Sequence, residues 1–267
     1  MCIRDRLCFG EATKFSQFFL EADKGYAATV VLGASSTTED ADGELTYVAD
    51  PRSLSEARIR EVANQLSGKQ LQVPPMYSAL KQNGKRLYEL AREGIEVERE
   101  AREVEIKRFD LGAIREFTSG ELVGQPLLAV DIEVDVSKGT YVRSLAAKLG
   151  EILGVGAYIQ QLRRTSVGEF SLDRAISLED LEALKAAQKF AEMDELLIPV
   201  TKALEHLPAV TLDESSSFYL RQGNPVQIPR VPDEGIVRLI QHGGEFLGVG
   251  EINEDGLVAP RRLVVNA

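Results

Sequence analysis

Leu128-Ala129-Val130-Asp131-Ile132-Glu133-Val134-Asp135-Val136 places an aliphatic side chain at every second position and, from Asp131 on, an acid between them. A strand turns successive side chains to opposite faces, so this pattern predicts one buried face and one polar face. Sheets of that kind are antiparallel, because all-parallel sheets are covered on both sides. Ser137-Lys138-Gly139 reads as a turn. Beyond it Val142, Leu145, Ala146, Leu149 and Ile152 fall at helical spacing and predict a helix with one apolar side.

The same reading extends outward along the chain. Phe15, Phe18 and Phe19 lie at helical spacing within 11–20. Tyr26 to Leu32 predicts a strand ending at Gly33, followed by a polar loop over 35–44. Ser53 and Glu56 form a capping-box pattern ahead of Ile59, Val62 and Leu66, with Gly68 just past the end. Pro74-Pro75 makes 71–84 an irregular loop, and Leu87, Leu90 and Ala91 predict a short helix closed by Gly94. Val104 and Ile106 predict a strand, with Phe109 one step out of phase. Ser177 caps a further helix to about Phe190. From Ile198 the texture changes to short strands, prolines and glycines, with a hairpin turn at Asn253-Glu254-Asp255-Gly256. A boundary near residue 197 is expected.

Composition excludes several classes. The 267 residues, 44% hydrophobic and 27% charged, suit a globular protein with a real core. No run approaches the roughly 18 apolar residues of a membrane span, and the first residues have no signal-peptide core. A cytoplasmic location without membrane contact is expected. Two cysteines, Cys2 and Cys8, make no disulfide framework. With only His206 and His242 beside them, no metal cluster is readable. The net charge of −11 opposes nucleic-acid binding taken alone. Its distribution does not: 138–164 holds five bases and one acid, whereas 173–214 holds ten acids and four bases.

Three segments together resemble one family. Val73-Pro74-Pro75-Met76-Tyr77-Ser78-Ala79-Leu80-Lys81, continued by Gly84 to Arg92, is similar to the bacterial tRNA pseudouridine-55 synthases of the TruB type. So are Ser137-Lys138-Gly139-Thr140-Tyr141-Val142-Arg143-Ser144-Leu145 with Leu162-Arg163-Arg164, and Gly10 to Phe15 with Asp23 to Tyr26. The likeness runs from about Leu7 to the C-terminus. It implies a cofactor-free isomerisation of a T-arm uridine of tRNA (position 55) to pseudouridine, in which an aspartate attacks and the base is rejoined through carbon. A base inside a folded arm cannot be reached in place and must first be flipped out, at a cost of a few kcal/mol.

By motif, the resemblance makes Tyr26 the stacking partner of the flipped base, Arg143 the partner of the nucleophilic aspartate and Leu162 an apolar wall. Tyr141 is counted with them, on the same side as Arg143 if the chain is still extended there. Tyr77, Lys81, Lys138, Arg163 and Arg164 are candidate RNA contacts. Read by type alone, Tyr26 is a strand aromatic, Leu162 a core residue, Tyr77 loop packing and Arg143 a solvated charge; joint spacing over three motifs favours the functional readings. The aspartate itself is not found. Counting back from Gly10 places it just before Met1, Asp5 is too close to Gly10, and 1–6 do not match the family. A truncated gene end, and a chain inactive by itself, are therefore expected.

The resemblance implies an α/β (α+β) fold: a mixed, largely antiparallel pseudouridine-synthase sheet with flanking helices over 7–197, then a small β-rich, PUA-like RNA-binding domain over 198–267. A monomer that takes tRNA as its partner is expected. The alternative is a non-catalytic tRNA-binding or tRNA-folding protein that uses the same surface.

Overall fold

In a computed structural model, which describes residues 7–265, the chain forms two compact units. One is 22–168; the other joins 7–21 to 169–265. Cys2 and Asp5 lie outside the described residues.

The unit 22–168 is built on strands β1 (Lys24–Leu32), β2 (Gly68–Gln72), β3 (Arg102–Phe117), β4 (Leu127–Val136) and β5 (Ala157–Val167). Their order is β5-β1-β4-β3-β2, and every neighbouring pair is antiparallel. The alternation in β4 does what the sequence predicts: Val130, Ile132, Val134 and Val136 are buried, while Glu133 is exposed. On the apolar face lie helices α1 (Glu56–Gln65) and α3 (Val142–Leu153); between them in the chain comes the short α2 (Leu87–Arg92). Ile59, Val62 and Ala63 of α1 and Val142, Leu145, Ala146 and Leu149 of α3 join the β4 aliphatics in one core. A fully buried aliphatic side chain contributes about 1.5–3 kcal/mol, so this layer fixes the register of β4 and the side of the sheet on which α3 lies.

Some local expectations are corrected. Ser55, not Ser53, caps α1 by accepting from the Arg58 N–H; Ser53 ends a preceding 3₁₀ turn. Phe109 is out of phase because β3 carries a bulge between Ile106 and Arg108. Ile152 remains 36% exposed and does not join the core. Ser177 does cap a helix, but that helix ends at Ala186, and a separate one spans Phe190–Glu195.

The second unit has strands β6 (Ala209–Leu212), β7 (Gly235–Gln241), β8 (Phe246–Ile252) and β9 (Val258–Leu263) in sequential order. The pair β6–β7 is parallel and the others are antiparallel. The helical stretch 10–20 packs here. Phe15, Phe18 and Phe19 are buried with Ala203, Leu204 and Val249, and the Phe15 ring lies 5.6 Å from Phe246. By compactness, the chain divides after Gly168, with residues 7–21 grouped with the C-terminal side. Three phenylalanines at helical spacing need an apolar partner, and in the structure that partner comes from the far end of the chain.

Candidate active site

The turn from β4 into α3 presents Arg143 at the second residue of the helix. A cation there faces the positive end of the helix dipole, so it needs acceptors. Three are supplied. One Arg143 Nη donates to Asp40 Oδ2 at 2.7 Å and to the Thr38 carbonyl at 3.1 Å; the other donates to the Tyr77 carbonyl at 2.7 Å. Arg143 and Asp40 are only 20% and 21% exposed, so water screens the pair little.

Asp40 is held from its own side. Its Oδ1 accepts from the Thr38 hydroxyl and from the Asp42 N–H. Its loop is sewn to β5, with the Ala41 N–H on the Ile159 carbonyl and the Ile159 N–H on the Glu39 carbonyl. Glu39 sits at φ 64°, a left-handed conformation costly for a side chain of this kind. Burial pushes its carboxyl above the ordinary value, against the opposing pull of a hydrogen bond from Ser144 Oγ and of Arg143 and Arg99 nearby.

Arg143, Asp40, Ile159 and Leu162 line one open cleft of about 820 Å³. Leu162 pairs with Ala28, and Tyr26 pairs with Arg164 on the same face of the sheet. Tyr26 is half-buried against the core; burial raises its hydroxyl pKa, while Arg164, within hydrogen-bond reach, opposes the rise. Tyr26, Leu162 and Arg164 thus lie along one face, and Leu162 faces the cleft into which Arg143 points.

Other candidates fall elsewhere. The helix begins at Val142, so the extended-chain argument that puts Tyr141 beside Arg143 does not hold; Tyr141 is the half-buried residue ahead of the helix. Tyr77 meets Arg143 through its carbonyl. Lys81 is exposed on a two-residue hairpin strand, and Lys138 is exposed in the β4–α3 turn. Arg163 and Arg164 are consecutive strand residues and start from opposite faces of the sheet, and Arg163 is among the residues that line the cleft. Arg163 shares its face with Glu133, which pairs with Asp110 in the sheet. Asp40 was not singled out by the sequence. Its only signal is an acid in a tight polar loop directly after a strand.

Two solved structures share the fold. One is the crystal structure of a Cbf5-Nop10-Gar1 complex, with TM-score 0.64 and 25% identity over 90% of this chain and 63% of that chain. The other is an H/ACA RNP bound to a substrate RNA containing 2'-deoxyuridine, with TM-score 0.65 and 21% identity over 96% of this chain and 70% of that one. The TruB family pseudouridylate synthase N-terminal domain matches 6–142, and two TruB C-terminal domains match 143–205 and 208–264. The tRNA pseudouridine synthase B of Ectopseudomonas mendocina is 46% identical over 97% of this chain and 80% of its own length. That of Nitrosococcus oceani is 48% identical over the same shares. The chain belongs to the TruB family of pseudouridine synthases.

Proposed function

We propose that this site isomerises one uridine of the tRNA T-arm, position 55, to pseudouridine. The observation that carries the reading is Arg143, held by Asp40 and two carbonyls and directed into the cleft that Leu162 lines. A flipped uracil needs a stacking face, an apolar wall and a cation beside the attacking carboxylate. Tyr26, Leu162 and Arg143 are the side chains suited to those roles. Relatives named tRNA pseudouridine synthase B support tRNA as the substrate.

The attacking carboxylate is a separate matter. Asp40 is a poor nucleophile, because both its oxygens are already bonded, to Arg143, Thr38 and Asp42. We infer that the 267-residue chain by itself binds tRNA without converting it, and that an aspartate-bearing segment from a relative, joined ahead of Leu7, confers turnover. The C-terminal unit adds RNA affinity rather than chemistry. The test is pseudouridine mapping in an unmodified tRNA transcript with and without that segment. Conversion by the chain alone would overturn the inference; binding that never becomes turnover in the joined protein would favour a non-catalytic tRNA-binding role.

A further inference from the structure

Tyr141 is an unsuitable residue to begin a helix. It occupies the cap position of α3, yet its side chain makes no capping hydrogen bond. Ser, Thr, Asp and Asn dominate that position because their oxygens accept from the free N–H groups of the first turn. In a capping box, a glutamate or glutamine three residues on also bonds the N–H of the cap residue itself. In α3 that position is Ser144, whose hydroxyl donates to Glu39 Oε2 instead.

The missing bond comes from Gln72, 69 residues away at the end of β2. Its Oε1 accepts from the Tyr141 N–H at 2.8 Å, and its Nε2 donates to the Tyr141 carbonyl at 3.0 Å. That carbonyl also accepts the helical bond from the Leu145 N–H, at 3.1 Å, so both its lone pairs are used. One amide therefore grips both backbone groups of one residue, as a neighbouring strand would. The other end of the connection is gripped too: the Ser137 N–H bonds the Glu105 carbonyl, and the Ser137 hydroxyl accepts from the Glu105 N–H.

We propose that Gln72 is a positioning residue of the active site, clamping the Tyr141 backbone so that α3 starts where Arg143 can reach Asp40 and the Tyr77 carbonyl. Arg143 lies two residues beyond the clamp at the end of a long side chain, so a small tilt of the first turn becomes a large displacement of the guanidinium. Only an amide fits both bonds. Glutamate accepts from the N–H but sets a negative oxygen against the Tyr141 carbonyl, leucine makes neither bond, and asparagine falls a methylene short.

The test uses the full chain and two variants, Gln72→Leu and the isosteric Gln72→Glu, which guards against a folding failure in the first. Hydrogen exchange at the Tyr141 amide should rise roughly tenfold in Gln72→Leu, the equivalent of losing a hydrogen bond of about 1.4 kcal/mol. The NMR signals of the Arg143 guanidinium should move and average, while thermal midpoints stay close to that of the parent. Gln72→Glu should keep most of the amide protection but still shift the Arg143 signals. Unchanged Arg143 signals in both variants, or unchanged Tyr141 exchange in Gln72→Leu, would overturn the proposal. The consequence for RNA rests on the function proposed above: Gln72→Leu should weaken tRNA binding in the parent and add nothing in an Arg143→Ala background. A parent that binds no tRNA would defeat that function, and the clamp would still be decided by exchange and the Arg143 signals.

Discussion

The Arg143–Asp40 pair sets how the site behaves when a single side chain changes. Removing one partner of a largely buried, hydrogen-bonded ion pair leaves a charge with reduced solvation, and hydrogen bonds to charged groups are worth about 1.5–3 kcal/mol. Asp40→Asn should therefore cost about 2 kcal/mol in denaturant unfolding, whereas changing an exposed pair such as Lys148–Glu151 should have little effect. Glu39 gives a pH signature. Its folded carboxyl titrates above the ordinary value of 4.5 because of burial. Between those two values the folded chain keeps a proton that the unfolded chain has released, so rising pH favours unfolding. The stability of the parent relative to Glu39→Gln should be greatest below the ordinary carboxyl range and fall as pH rises through the folded value. A difference that stays constant with pH would contradict this. Arg143 and Leu162 were legible because they sit in long, jointly spaced motifs. Asp40 and Gln72 were not, since what each does depends on a partner 103 and 69 residues away.

At the scale of elements, α3 gives the cleft Arg143 and β5 gives it Ile159 and Leu162, and Gly150 controls how closely the two elements join. A Cβ at Gly150 would lie 2.2 Å from the Ala157 nitrogen and 2.3 Å from the Gly156 carbonyl carbon. Both are backbone atoms, so neither can swing away. Gly150→Ala should cost about 3 kcal/mol or more, at the upper end of overpacking effects, and should also weaken tRNA binding by moving Arg143 away from Leu162. A variant with parental unfolding would show that the close approach is not needed. The strict alternation of β4 and the periodicity of α3 made these elements readable, since one face of each must be buried. The bulge in β3 showed itself only as Phe109 out of step. The placement of 10–20 with the C-terminal strands was not readable, because apolar spacing shows that a face is buried without showing against what.

For the whole molecule, binding an RNA with a net charge of −11 requires that the cations be sorted by surface. Arg164 shares the face of Tyr26, and Arg163 shares that of Glu133. Arg164→Ala should weaken tRNA binding and flatten its salt dependence by about one counterion, and by more than Arg163→Ala does. Equal effects of the two would show that the RNA does not distinguish the faces. Deleting the C-terminal strands would remove the apolar partners of Phe15, Phe18 and Phe19 as well, so the RNA contribution of that unit is better probed by surface substitutions than by truncation. The central proposal is that Arg143, held by Asp40, is the cation beside the attacking carboxylate in a T-arm pseudouridine site. The most direct measurement is pseudouridine mapping across one unmodified tRNA incubated with the chain alone, with the chain joined to a relative's aspartate-bearing segment, and with the joined protein carrying Arg143→Ala. The expected result is no conversion by the chain alone, conversion of position 55 by the joined protein, and its loss with Arg143→Ala. Conversion at a different uridine, or full conversion without Arg143, would contradict the account.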